Sequence, residues 1–342
     1  MTTIAWASEE ERRLLFTEAA ARLHLSAVAV EKDFWVCWIL AHVYAESPWK
    51  DVLTFKGGTS LSKCFQVIER FSEDIDLVVD RSFLGTGDGE FLDGTKSVRS
   101  RERWLKALVE RSKLVLREEF YPMLRQRIGA DLAEGDWSLE WMQDGNSPEG
   151  SVLAFHYPRA VPIVGSIPPR IKLELIARAD AEPVLSHSVS AYVYDAFPGV
   201  FIREEVPVRV VSPVRTLWEK VLLLHEEFHR PEDKQRTKGV SRHLYDVWSL
   251  MRTGEWRKEA LNARFTLLPE IVAHRSVFFR TSWGRFETMV PGGIRALPPA
   301  HQVAYWRSDF NEMKREMVFG FCPDFDEMLT EIELFQREIN AV

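Results

Sequence analysis

The chain has 342 residues, 46% apolar and 28% charged, which suits about two globular domains with an ordinary buried core and excludes a disordered chain. With 44 Lys plus Arg against 51 Asp plus Glu, a formal net charge of −7, general adhesion to nucleic acid is excluded and any such contact must be a local basic patch. The three cysteines, Cys37, Cys64 and Cys322, lack C-x-x-C spacing, which argues against a disulfide framework or a thiolate metal site and fits a reducing cytoplasm.

The opening MTTIAWASEEERRLL has no basic region followed by an apolar one, so no export signal is expected. The longest apolar stretch, FWVCWILAHVYA, is too short for a bilayer span and contains His42, which predicts a buried helix and no membrane. Ser8 and Ser26 are placed to cap two opening helices. DVLTF then reads as a strand, TSLSKCFQVIE as a helix and DIDLVV as a second strand. A glycine-rich loop, RSFLGTGDGEFLDGTK, precedes a long charged helix expected over 100–127. WSLEWM, SVLAFHY, RIKLELIA and PVRVV read as strands, and from Ser212 onward SPVRTLWEKVLLLHEEF, SRHLYDVWSLM and FDEMLTEIELFQREI return to helical spacing. The expected class is α+β: a mixed sheet flanked by helices over 48–211, a helical segment over 1–47 packing on it, and an α-helical C-terminal domain over 212–342.

The chemistry concentrates in FKGGTSLSKCFQVIERFSEDIDLVVD, from Phe55 to Asp80. Side chains alternate along a strand, so Asp74 and Asp76 share one face of DIDLVV while Ile75, Leu77 and Val79 take the other. Two carboxylates one pleat apart repel unless paired, and a divalent cation resolves the conflict; Mg²⁺ typically takes one or two protein carboxylates plus substrate phosphates. Gly57 and Gly58 lie between the first strand and its helix, where free N–H groups favour a phosphate. Thr59, Ser60 and Ser62 add hydroxyls, and Lys56 and Lys63 add charge. The G-x-x-x-x-G-K-[ST] order is absent, so this is not a Walker A loop.

A glycine-hydroxyl turn, a helix and then D-h-D on the next strand resemble the nucleotidyltransferase superfamily. FKGGTSLSK with IERFSEDIDLVVD is more closely similar to the AbiEii/AbiGii-type toxins of bacterial type IV toxin–antitoxin and abortive-infection systems, as are VEKDFWVCWIL, SPVRTLWEKVLLL and RHLYDVWSL. The resemblance implies that Asp74 and Asp76 bind Mg²⁺ or Mn²⁺, and that Gly57, Gly58, Thr59 and Ser60 hold the terminal phosphates of an NTP. Lys220 would contact the triphosphate, Asp246 would complete the pocket, and Lys56, Lys63, Arg70 and Lys172 would complete the nucleotide-binding set. The superfamily often draws a third carboxylate from a later strand, and in RIKLELI Glu174 shares a face with Lys172, which makes Glu174 the candidate. The resemblance further implies a cytoplasmic toxin that modifies the 3′ end of tRNA, blocks translation and is controlled by a cognate antitoxin.

Two readings compete. HEEFH, from His225 to His229, satisfies H-E-x-x-H, in which two histidines hold Zn²⁺. Against a zinc hydrolase, Arg230 and Pro231 follow at once, and Glu232 and Gln235 stand where the metzincin continuation needs glycine and histidine. The other competitor is a catalytically silent nucleotide-binding module. Two basic stretches, one with Arg230, Lys234, Arg236, Lys238 and Arg242 and one with Arg99, Arg101, Arg103, Lys106, Arg111 and Lys113, are candidate RNA contacts, but neither has interleaved aromatics.

Overall fold

A computed structural model describes residues 1–45, 48–72, 74–86, 97–143, 151–162, 168–234 and 238–341. Most of the glycine-rich loop (87–96) and Arg236 lie outside the described residues. The fold is mixed α/β, and its residues form two compact units. The first takes Met1–Cys64, the stretch from Phe71 and Val98–Val210; the second takes Phe65–Arg70 and Val211–Val342.

After a short helical turn at Thr2–Ala5, the first unit carries α1 (Glu9–Leu23) and α2 (Ala27–Tyr44). Ser8 and Glu11 form a reciprocal capping box, and the Ser26 hydroxyl accepts from the Ala29 N–H. Almost all of α2 is buried, and Trp35 and Trp38 pack on Phe155 of the sheet with ring centroids 6.1 and 5.7 Å apart. The sheet contains β1 (Leu53–Lys56), β2 (Ile75–Val79), β3 (Ser138–Met142), β4 (Val152–His156), β5 (Ile171–Ile176), β6 (Val184–Val189) and β7 (Val206–Val211), in the order β3-β4-β5-β2-β1-β7-β6. β2 runs antiparallel to β1 and parallel to β5, which makes the sheet mixed. All the strands read from the sequence are present; β6, in the neutral and largely exposed VLSHSV, is additional.

Two helices differ from expectation. The helix after β1, α3, covers only Gly57–Lys63. The second unit begins at Phe65, and Gln66 adopts a left-handed backbone, φ 52, that does not continue a helix. The charged helix is longer than its predicted span: α4 (Val98–Val115) continues through a π-helical turn, Leu116–Phe120, into α5 (Tyr121–Asp131). Pro122, which cannot donate to the helical ladder, comes just after the π-helical turn.

The second unit has six α-helices among its described residues: α6 (Pro213–His229), α7 (Ser241–Arg252), α8 (Gly254–Ala263), α9 (Leu267–Phe278), α10 (Val303–Met317) and α11 (Phe325–Asn340). Ser212 caps α6 and Pro213 occupies its first turn. The Phe65–Arg70 segment is pinned here, with the Phe319 N–H donating to the Glu69 carbonyl at 3.0 Å and the Glu69 N–H donating to Tyr245 Oη at 3.2 Å. No helix among the described residues is long and apolar enough to cross a membrane.

Candidate active site

The central strands carry one apolar and one charged face. Phe55, Ile75, Leu77, Leu173 and Leu175 are fully buried. On the opposite face, strand pairing sets Lys56 of β1 beside Asp76 of β2, and Asp76 beside Glu174 of β5. Asp74 stands just before β2 and Lys172 one pleat before Glu174; the Lys172 ammonium lies 3.9 Å from Asp74 Oδ2. The predicted Lys56, Asp74, Asp76, Lys172 and Glu174 therefore come together on three adjacent strands, and each is partly accessible to solvent.

The glycine turn is built against this face. Gly57 has φ +82, and a Cβ placed on it would overlap the Asp76 carboxylate, lying 3.0 Å from Cγ and 3.3 Å from Cβ. Only glycine meets both the left-handed backbone and the absence of space. Thr59 and Ser60 are buried, and their hydroxyls are engaged by the protein. Thr59 Oγ1 donates to the Asp74 carbonyl at 2.5 Å, and Ser60 Oγ donates to the Gly57 carbonyl at 2.9 Å. The first bond fixes the backbone that presents the Asp74 carboxylate, and the second closes the turn beneath Asp76. The partly exposed Gly58 stands between them.

Lys63 takes a different position. Its ammonium lies 2.6 Å from Asp33 Oδ1 and 3.8 Å from the Tyr192 ring centre, while Asp33 Oδ2 accepts the Tyr192 N–H at 2.7 Å. Burial alone would lower the Lys63 proton affinity, but the Asp33 charge overrides it and holds the lysine protonated above its ordinary range. Asp33 belongs to three consecutive buried charges in α2. Glu31 accepts the Ala160 N–H at 2.6 Å, and the Lys32 ammonium donates to the Pro168 carbonyl at 2.8 Å. The E-K-D run thus holds three connections of the sheet unit. Its signal was visible as charges interrupting the apolar VEKDFWVCWIL, yet spacing alone does not reveal their partners.

In the second unit the predicted Arg70, Lys220 and Asp246 converge on one another. Arg70 makes two 2.7 Å hydrogen bonds to Asp246, and Lys220 Nζ lies 2.6 Å from Asp246 Oδ2. Asp246 is fully buried. Burial pushes its carboxyl up, but the Arg70 and Lys220 charges more than reverse this and hold it well below the usual carboxylate range. Burial and the nearby Arg70 charge in turn lower the Lys220 proton affinity, against the opposing pull of Asp246. Two cations on one carboxylate leave a net positive cluster.

His225 and Glu226 of HEEFH are occupied by structural bonding. His225 Nδ1 accepts the Arg295 N–H at 3.0 Å, which leaves Nε2 to donate to Thr288 Oγ1 at 3.1 Å. Glu226 receives Arg275 through bonds of 2.5 and 3.0 Å. Among the described residues no three His, Cys, Asp or Glu side chains are grouped to hold a metal. The motif accordingly lacks the third ligand a zinc centre needs.

No curated protein matches the chain. Among solved structures it is similar to MenT4, a nucleotidyltransferase toxin from Mycobacterium tuberculosis H37Rv, with 15% identity, TM-score 0.39 and coverage of 98% of this chain and 100% of that one, a correspondence too loose to assign residue roles. The model of the family described as "Nucleotidyl transferase AbiEii toxin, Type IV TA system" matches residues 38–331, a span that includes the glycine turn, the charged sheet face and the Arg70, Lys220 and Asp246 cluster. The chain therefore belongs to the AbiEii family of nucleotidyltransferase toxins.

Proposed function

We propose that this nucleotidyltransferase transfers a nucleotide from an NTP to an RNA acceptor, the 3′ end of tRNA, and so blocks translation in the cytoplasm. The observation that carries the reading is the placement of Asp74 and Asp76 on the open face of the sheet, with Gly57 packed directly against the Asp76 carboxylate. Family membership also implies a cognate antitoxin, since these are toxins of type IV toxin–antitoxin systems.

The donor set fits a hard divalent cation. Asp74 and Asp76 offer carboxylate oxygens, and the missing Gly57 side chain leaves the Asp76 carboxylate close to the turn. Mg²⁺, or Mn²⁺, held by these two residues would supply positive charge to the nucleotide phosphates and favour ionisation of the acceptor hydroxyl. Lys56 and Lys172 add fixed positive charge on the same face; Glu174, the register partner of Asp76, lies there too but is not grouped with Asp74 and Asp76 as a third metal donor. The acceptor oxygen attacks the α-phosphorus; the new O–P bond forms as the bond to the β-phosphate bridge breaks, pyrophosphate leaves with the electron pair, and the hydroxyl proton passes to solvent. Such chemistry depends on positioning and charge, so no covalent protein nucleophile is required.

Within this reading Gly57 and Gly58 admit the phosphates, while Thr59 and Ser60 act by fixing the turn. Lys63 acts by anchoring α3 to Asp33. Arg70, Lys220 and Asp246, buried and bonded to one another, act by holding their own unit together. The test is transfer from each α-labelled NTP to total bacterial tRNA, with the antitoxin absent. Label in the tRNA band supports the reading and identifies the nucleotide. Label confined to another acceptor, or to none while the protein is folded, refutes the tRNA assignment.

A further inference from the structure

The outer ridge of α4 carries a cationic stripe unlike the acidic chain around it. Arg99, Arg103, Lys106, Glu110, Lys113 and Arg117 follow at alternating steps of four and three, which places them along one helical face. Five of the six positions are basic. The opposite face is the buried one, with Leu108, Ser112 and Val115 inside. Glu110 is itself engaged by Lys113 at 3.2 Å, whereas Arg99, Arg103 and Lys106 are exposed and have no ion pair among the described residues. At 1.5 Å per residue the ridge is about 27 Å long. At its far end the Arg117 guanidinium lies 5.3 Å from the Trp141 ring centre, and Tyr121 stands 5.9 Å from the same ring. The edge strand β3 and α5 thus bring to the stripe the aromatic groups that the local sequence lacks.

We infer that this ridge is the docking surface for the sugar–phosphate backbone of the RNA acceptor, with Trp141 and Tyr121 as a stacking end. The inference rests on the RNA-acceptor reading above. A row of cations at one-turn spacing matches a polyanion, and a planar aromatic end adds contact with an unpaired base. A lipid surface fits poorly, because the apolar face of α4 is already buried in the protein and nothing remains to enter a bilayer.

The test measures binding of the full-length protein to a fluorescein-labelled tRNA transcript, without NTP, across a salt series. The triple variant Arg99→Gln/Arg103→Gln/Lys106→Gln should lower the slope of log affinity against log salt by about 2–3 and weaken binding on the order of 10²-fold at 0.1 M salt. Arg13→Gln, on the solvent-facing side of α1, serves as a surface-charge control. Glu110→Gln should tighten binding and steepen the slope, a gain that structural damage does not produce. An unchanged slope in the triple variant, no gain with Glu110→Gln, or equal capture by phosphatidylserine vesicles overturns the inference. Transfer to tRNA by wild type with unaltered binding in the triple variant defeats the docking surface alone; stripe-dependent binding with no nucleotide transfer from any NTP defeats the acceptor reading instead.

Discussion

Gly57→Ala joins backbone strain to loss of chemistry, and Gly85→Ala separates the two. Both glycines lie in the left-handed region, φ +82 and φ +70, where a side chain costs about 1–2 kcal/mol. At Gly85 a Cβ meets nothing within 4 Å. At Gly57 it overlaps Asp76 Oδ2 and lies 3.0 Å from Cγ, inside the roughly 3.5–4.0 Å optimum for carbon atoms, so the carboxylate must move by about 1 Å or more. Displacement of about 1 Å in a catalytic group costs about 10²-fold in rate. Both variants should therefore melt about 2–8 °C below wild type, but only Gly57→Ala should lose about 10²-fold in single-turnover transfer of α-labelled nucleotide. Equal activity in the two variants would refute the claim that the turn exists to admit Asp76.

Asp246→Asn leaves Arg70 and Lys220 buried without their carboxylate and should destabilise the protein by about 3–5 kcal/mol in urea unfolding; because Asp246 is depressed in the folded state, its stabilisation is present above its unfolded pKa and should fade as the pH falls below about 4. Burial pushes the Glu31 carboxyl up to about 7, against the opposing effect of its backbone donors. With a folded pKa above the unfolded value of 4.5, wild type should lose up to about 3 kcal/mol between pH 4.5 and 8, a loss that Glu31→Gln should largely abolish when unfolding is followed across that range. Lys63→Met should destabilise the fold by about 3–5 kcal/mol by stranding Asp33; unchanged stability, measured by the same unfolding, would remove the structural role assigned to the pair.

The strands β1, β2 and β5 are legible because apolar and polar residues alternate over LTFK, DIDL and IKLEL, and the same alternation puts Asp74 with Asp76 and Lys172 with Glu174 on shared faces. Register was not legible: nothing local in DIDLVV and RIKLELI says that Asp76 lies beside Glu174. The helix after β1 reads too long because Leu61, Cys64, Phe65 and Ile68 keep helical spacing, whereas a left-handed Gln66 and the bonds of Glu69 with Phe319 and Tyr245 direct the segment elsewhere. Nothing in the spacing around Lys63 and Lys220 marks either lysine as buried. Their buried partners, Asp33 and Asp246, are 30 and 26 residues away, a separation over which sequence periodicity carries no information.

The central claim is that the Asp74 and Asp76 face performs nucleotidyl transfer. Asp76→Asn keeps the shape of the side chain and removes its charge, so the direct measurement is α-labelled nucleotide transfer to tRNA by wild type and by this variant in Mg²⁺, with thermal unfolding to confirm the fold. Label is expected with wild type and at least about 10³-fold less with Asp76→Asn, alongside a folded variant. Wild-type rates from folded Asp76→Asn would contradict that claim.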